Sequence, residues 1–186
     1  MFDFDHFPVL ETPRLRLRQI LPADAAAVQM MFSHPEVMRY KMMPVFEDED
    51  TARRWIARMQ GVFDQRTRLR WGITWAGKDV VIGSIGLRDW DREVCSAETG
   101  YDLGFDHWNQ GVMTEALRAV AAFGFNAMQL NRIEANAVVD NIASRRTLEK
   151  VGFQQEGIRR ESDRRAHDGQ FFDMAVYGLL AREFTP

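Results

Sequence analysis

The residues best placed to do chemistry lie mid-chain, in Trp108-Asn109-Gln110-Gly111-Val112-Met113-Thr114. The segment that follows spaces Ala116, Leu117, Val120 and Ala121 on one face, which predicts a helix from about Thr114 to Met128. A turn feeding a helix N-terminus aims several backbone N–H groups one way, backed by the positive end of the helix dipole. That arrangement suits a phosphate or pyrophosphate; the plain alternative is an ordinary turn with one Gly. Asn141-Ile142-Ala143-Ser144 opens a shorter helix with Asn141 as N-cap and Gly152 as terminator. Other motifs fail. Gly72 to Lys78 has the spacing of a P-loop, but Asp79 stands where Ser or Thr is required and the interior Ile-Thr-Trp-Ala reads as strand. His6, His34, His107 and His167 are scattered without metal-ligand spacing, and no Gly-x-Ser-x-Gly elbow is present. Nucleotide hydrolase, zinc enzyme and serine hydrolase are therefore rejected, and no metal is expected.

These residues need a scaffold, and its elements are legible. Residues 1–8 read as a short tail and 9–186 as a single domain. Leu15 to Ile20 alternates as a half-buried strand, and Pro22-Ala23-Asp24 opens a helix to about Phe32. Glu47 to Thr51 is an acid-rich first turn ahead of Trp55, Ile56 and Met59; it hints at a cationic partner, although any helix N-terminus favours such acids. Trp71, Ile73 and Trp75 share a strand face, Gly77-Lys78-Asp79 turns, and Val80 to Leu87 returns. In the strand 97–105, Glu98, Gly100 and Asp102 share one face, and Gly100 and Gly104 suggest a bulge or a close approach to the backbone. Ile133 to Val139 and Phe153 to Ile158 are strands, Arg159 to Gln170 a charged loop, and Phe171 to Leu180 the last strand. Strands and helices without strict alternation predict an α/β (α+β) domain, a mixed sheet flanked by helices.

Composition sets the boundaries. The chain has 186 residues and a formal net charge of −3, so one domain burying about 70% of its unfolded surface is expected. Near-zero charge argues against nucleic-acid binding. Cys95 is the only cysteine, which excludes an intrachain disulfide and suits a reducing compartment. No apolar run approaches the roughly 18–20 residues of a membrane helix, and the N-terminus lacks the marks of a signal peptide. A cytoplasmic protein without membrane contact is the expectation.

Taken in order, several words resemble the GNAT superfamily of acyl-CoA-dependent N-acetyltransferases, in particular the RimJ/RimL branch of ribosomal-protein N-terminal acetyltransferases. They run from Glu11-Thr12-Pro13-Arg14-Leu15 through Ala97-Glu98-Thr99-Gly100-Tyr101 and Trp108-Asn109-Gln110-Gly111 with Thr114-Glu115-Ala116-Leu117. The set Asn141/Ser144/Lys150/Gly152/Phe153 follows, then Asp173 and Tyr177-Gly178-Leu179-Leu180. The resemblance implies a mostly antiparallel sheet with a splayed parallel pair, here 98–104 and 133–139, holding acetyl-CoA in the wedge. The turn of Trp108, Asn109, Gln110, Gly111, Val112, Met113 and Thr114 would carry the pyrophosphate on its amides. Backbone at Tyr101, Asp102 and Leu103 would pair with the pantetheine arm as an added strand, with Asn141 beside it and Ser144 near the sulfur. This chain departs from the pattern at Asn109, where Gly is usual, and at Met113, where a small residue is usual and a large one would crowd the turn. Asn tolerates left-handed geometry. Leu148 stands where many relatives carry a Tyr acid, leaving Ser144 as the candidate.

Acyl transfer to an amine needs a base, a donor for the developing oxyanion and stabilisation of the leaving thiolate. Glu98 is the chosen base, directly or through water, since partial burial in a cleft would raise its pKa; Asp102 is the reserve. The plain reading of Glu98 is a salt-bridged strand residue. Backbone N–H groups near Leu103 would serve the oxyanion. Ser144 would hydrogen-bond the sulfur, or else merely cap its helix. Trp90, read as lying in a loop, would border the acceptor, Tyr177 would fill the core, and Cys95 would be a buried thiol. The resulting expectation is transfer of an acetyl group to a peptide N-terminus or small primary amine in a ternary complex, by a monomer or homodimer. The alternatives are a non-catalytic acyl-CoA-sensing module and a ligand-free dimerising domain.

Overall fold

The computed structural model describes residues 2–166 and 168–185; His167, and Met1 of the N-terminal segment, lie outside the described residues. The strands are β1 (Leu10–Glu11), β2 (Leu15–Gln19), β3 (Arg68–Trp75), β4 (Gly83–Asp91), β5 (Ser96–Leu103), β6 (Arg132–Val138), β7 (Gln154–Arg164) and β8 (Phe171–Leu180). The helices are α1 (Ala25–Ser33), α2 (Pro35–Met38), α3 (Glu49–Asp64), α4 (Val112–Asn126) and α5 (Ile142–Val151). Among the described residues the strands form one sheet in the order β1-β2-β3-β4-β5-β6-β8-β7, antiparallel throughout except for the parallel pair β5–β6. This is the mixed sheet with flanking helices that the patterning predicts.

Side chains alternate across the sheet, so it carries two different layers. Trp71, Ile73, Ile85 and Leu87 pack against Val112, Ala116, Leu117, Val120 and Ala121, the apolar stripe of α4. One residue away in β3 the direction reverses: a Cβ on Gly72 would meet Ile20, which belongs to a separate cluster with Val28, Phe32, Phe46 and Ile56 of the α1–α3 layer. The N-terminal segment lies along the α4-side core, with Phe4 buried in it and the Trp71 indole donating to Pro8 O at 2.7 Å. Asp48 caps α3, accepting from Thr51 N at 2.7 Å, so the acidic stretch serves a helix end.

Several expected boundaries move. Helix α4 starts at Val112, two residues early, because Gly111 is its N-cap in left-handed geometry (φ 74°). The return strand spans Gly83–Asp91 rather than 80–87 and takes in Trp90, whose ring stacks on Phe4 with centroids 5.9 Å apart instead of bordering a cleft. Strand β7 runs on to Arg164 through residues expected as loop. It is an edge strand exposed along nearly its whole length, so its charges face water while its backbone pairs with β8. Irregular pairing between β4 and β5 falls between Arg88 and Asp91, away from Gly100 and Gly104. Cys95 sits half-exposed in a tight turn at φ 54° rather than buried.

Candidate active site

The site begins where two parallel strands part. β5 and β6 pair from Ser96↔Arg132 to Thr99↔Ala135 and no further. Beyond that fork β5 stays with β4 up to Leu103↔Gly83, while β6 stays with β8 up to Val138↔Met174. Each strand follows its outer neighbour and a gap opens. The gap is part of a cleft of about 970 Å³ lined from both sheet faces. A Cβ on Gly100, just past the fork, would meet nothing within 4 Å, so the glycine leaves room there.

On the α4 side the cleft ends at the 108–114 turn. Asn109 (φ 59°) and Gly111 (φ 74°) are both left-handed, the conformation Gly and Asn adopt at least cost. No side chain caps α4, so its first N–H groups are open to an anion. The Trp108 indole donates to Leu103 O at 2.9 Å and fixes the turn to the end of β5. Arg14 lies beside the turn, with Nη1 donating to Gln110 O at 3.0 Å and Nε to Glu115 Oε2 at 2.6 Å. Glu115 also accepts from Thr12 Oγ1 at 2.6 Å and from Arg14 N at 3.1 Å, latching the β1–β2 turn to α4. Burial raises the Glu115 pKa, but the Thr12 and Arg14 hydrogen bonds outweigh it and hold the carboxyl below its usual range.

Helix α5 closes the same side. Asn141 Oδ1 accepts from Ser144 N at 3.1 Å, so Asn141 is the N-cap and Ser144 has no capping duty. Ser144 Oγ lies 3.0 Å from the Tyr101 hydroxyl, which also donates to Ser144 O at 3.1 Å. Burial pushes the Tyr101 phenol well above its ordinary pKa, so it stays protonated. Tyr177 is fully buried and accepts from Arg145 Nε at 3.1 Å.

The other face of the fork is charged. Glu98, Gly100 and Asp102 point here, as their parity predicts. Glu98 pairs with Arg88, directly opposite on β4. Asp102 is buried between Lys41 and Arg70, with Ser84 Oγ at 3.5 Å. Burial raises its pKa, but the two cations outweigh burial and hold it below the usual carboxylate range. So engaged, Asp102 serves as an anion bracing two cations, and the reserve-base role read from sequence would require it to leave both. Carbonyls beyond the fork are also engaged: Tyr101 O accepts from Lys41 Nζ at 3.3 Å and Leu103 O from Trp108.

Of the residues read from sequence, Glu98, Tyr101, Asp102, Leu103, Trp108, Asn109, Gly111, Val112, Met113, Thr114, Asn141 and Ser144 all line this cleft. Gln110 does not; its amide folds back to Asp106 O at 2.9 Å. Met113 turns its side chain into the core, 7% exposed, rather than crowding the turn. Glu47 to Asp50 lie off the cleft, and Gly72 pairs with Ser84 in mid-hairpin, as its strand-like context predicts. Sequence reasoning missed Lys41, Arg68, Arg70 and Arg88 and the hydroxyl role of Tyr101. Only the alternation of Arg68 and Arg70 on one strand face offered a signal. Among the described residues no group of three or more His, Cys, Asp or Glu is placed to hold a metal ion, and no helix is long and apolar enough to cross a membrane.

The site is thus a cleft between diverging parallel strands, with an uncapped helix N-terminus at one end and a carboxylate on the opposite face. Residues 14–154 match the family model described as "Acetyltransferase (GNAT) domain", and the chain belongs to that family, whose members are acetyl-CoA-dependent N-acetyltransferases. It is 37% identical to the uncharacterized N-acetyltransferase YoaA of Bacillus subtilis, over 94% of this chain and 97% of that protein. It is 32% identical to the [Ribosomal protein uS5]-alanine N-acetyltransferase of Escherichia coli, over 47% and 44% of the two chains. The crystal structure of a GNAT-family acetyltransferase from Bacillus anthracis superposes with TM-score 0.83 at 26% identity, covering 95% of this chain and all of that one.

Proposed function

We propose that this chain acetylates a primary amine, a peptide N-terminus or a small amine, by direct attack with both substrates bound together. The observation that carries this reading is the fork, a gap through the sheet with an uncapped helix N-terminus on one face and a carboxylate on the other. The name of the Escherichia coli relative, which acts on an alanine of ribosomal protein uS5, supports a peptide N-terminus as acceptor.

When bound, acetyl-CoA supplies an activated acetyl thioester. The open amides from Gly111 to Thr114 hold its pyrophosphate, Asn141 lies alongside the pantetheine, and the backbone of Tyr101 to Leu103 takes that arm as an added strand. Lys41 and Trp108 yield the Tyr101 and Leu103 carbonyls where the arm needs them. Ser144, oriented by Tyr101, donates to the sulfur. Backbone N–H near Leu103 faces the developing oxyanion. Glu98, released from Arg88 or through water, takes the proton of the acceptor ammonium; such a base contributes about 10²–10⁴ in rate. The test is thiol release from acetyl-CoA with a panel of amines and N-terminal peptides, beside thermal shift with CoA. Thiol release that requires an amine supports the reading. Stabilisation by CoA with no thiol release across the panel overturns it in favour of a binding module.

A further inference from the structure

The acceptor side of the fork carries a guanidinium with no ion-pair partner among the described residues. Arg68, Arg88 and Glu98 stand directly opposite one another on β3, β4 and β5, so their side chains share one face, and all three line the cleft. Arg88 is spent on Glu98, and Arg70 and Lys41 on Asp102. Arg159 donates to Asn136 Oδ1 at 2.9 Å, and Arg39 pairs with Glu36 at 3.5 Å. The Arg68 side chain has neither hydrogen bond nor ion pair among the described residues. It is half-buried; burial disfavours its charge, and Arg88 and Arg58 add to that against the weaker pull of Asp89 and Glu98. A partly desolvated, uncompensated cation is costly until an anion meets it. An incoming ammonium faces the same excess of positive charge, unless it brings a negative group with it.

Resting on the transfer reading above, we infer that the acceptor is a primary amine carrying an anionic group, a carboxylate or phosphate, which Arg68 binds while the amine lies at Glu98. Arg68 and Glu98 are two strand spacings apart, about 10 Å between backbones. An acidic side chain at the second residue of a peptide spans that distance from the N-terminal amine, and so does a short amino acid with its amine and carboxylate at opposite ends. The acidic stretch at Glu47 to Asp50, whose composition favours a cationic acceptor, lies off this cleft.

The experiment compares pairs that differ only in charge: peptides beginning Ser-Glu against Ser-Gln, and 6-aminohexanoate against its amide. With wild type and acetyl-CoA, one arm shows about a tenfold or greater preference in kcat/KM for the acid, carried by KM, as a charge-assisted hydrogen bond provides. The responding arm identifies a peptide or a small molecule as the source of the anion. In Arg68→Gln the preference collapses to within about twofold, and Arg68→Lys restores part of it. Equal kcat/KM for acid and amide in both arms, or a preference that survives Arg68→Gln, overturns the inference. Calorimetry of the same pairs on CoA-loaded protein separates the two readings. Arg68-dependent binding without thiol release fails the transfer reading alone, and neither signal fails both.

Discussion

Asp102→Asn probes the charged brace at the fork. The amide keeps the shape of the side chain and removes the anion shared by Arg70 and Lys41. Breaking a buried ion pair from one side costs about 3–5 kcal/mol. Arg70 bears the full effect, whereas Lys41 is partly exposed and turns to water, so the lower end, about 3 kcal/mol, is expected. At about 2–4 °C per kcal/mol for a domain of this size, Tm falls by about 6–12 °C. Urea unfolding at pH 7 reads the loss as a lower midpoint at unchanged slope. The pH dependence gives an independent sign. Because the folded-state pKa of Asp102 is depressed, its stabilisation is complete above the unfolded value, about 3.9, and drains away as pH falls below it. The gap between wild type and variant should therefore be constant from pH 7 to about 5 and narrow below about 4. A loss under about 1 kcal/mol, or a gap that widens on acidification, refutes the brace. A drop of about 10²–10⁴ in turnover per folded molecule would instead make Asp102 a base.

Other outcomes follow from the same geometry. Glu98→Gln should lower kcat at neutral pH by about 10²-fold or more while leaving the Kd for CoA within about twofold, measured by thiol release and calorimetry; an unchanged rate removes Glu98 from the chemistry. Gly111→Trp places a side chain at φ 74° with Cβ about 3.5 Å from Arg14 Nη2, costing about 1–2 kcal/mol of backbone strain and covering the open amides. CoA affinity should fall at least about tenfold by calorimetry, and wild-type affinity would displace the pyrophosphate from this turn. Tyr101→Phe frees the Ser144 hydroxyl; kcat should drop about tenfold with a smaller change in the KM for acetyl-CoA, and an equal fall in Ser144→Ala with no further loss in the double variant would show one shared function.

What the sequence disclosed is what local chemistry decides. The 108–114 turn was readable because Asn109 and Gly111 are the residue types that accept left-handed backbone, and Asn141 because an N-cap is a one-turn motif. The parity of Glu98, Gly100 and Asp102 follows from the twofold period of a strand. Partnership was not readable. Whether Glu98 meets Arg88, or Asp102 meets Arg70, depends on register across strands separated by turns, and Lys41 arrives from a different layer. The far half of strand β7 is not legible because Arg159 to Arg164 has the composition of a loop; an edge strand in water needs no apolar alternation. Trp90 reads as loop for a related reason, since β4 keeps its ladder past the last fully apolar residue, Leu87. Met113 sits in the turn by sequence, whereas its side chain answers to the core beneath.

The sheet is breached at the fork, not merely grooved, and this bears on kinetic order. On the proposed reading, two reactants that approach from opposite sides do not block each other's doorway, so neither must depart before the other arrives. Saturating one should leave access to the second intact, and initial-velocity lines for the two should intersect instead of running parallel.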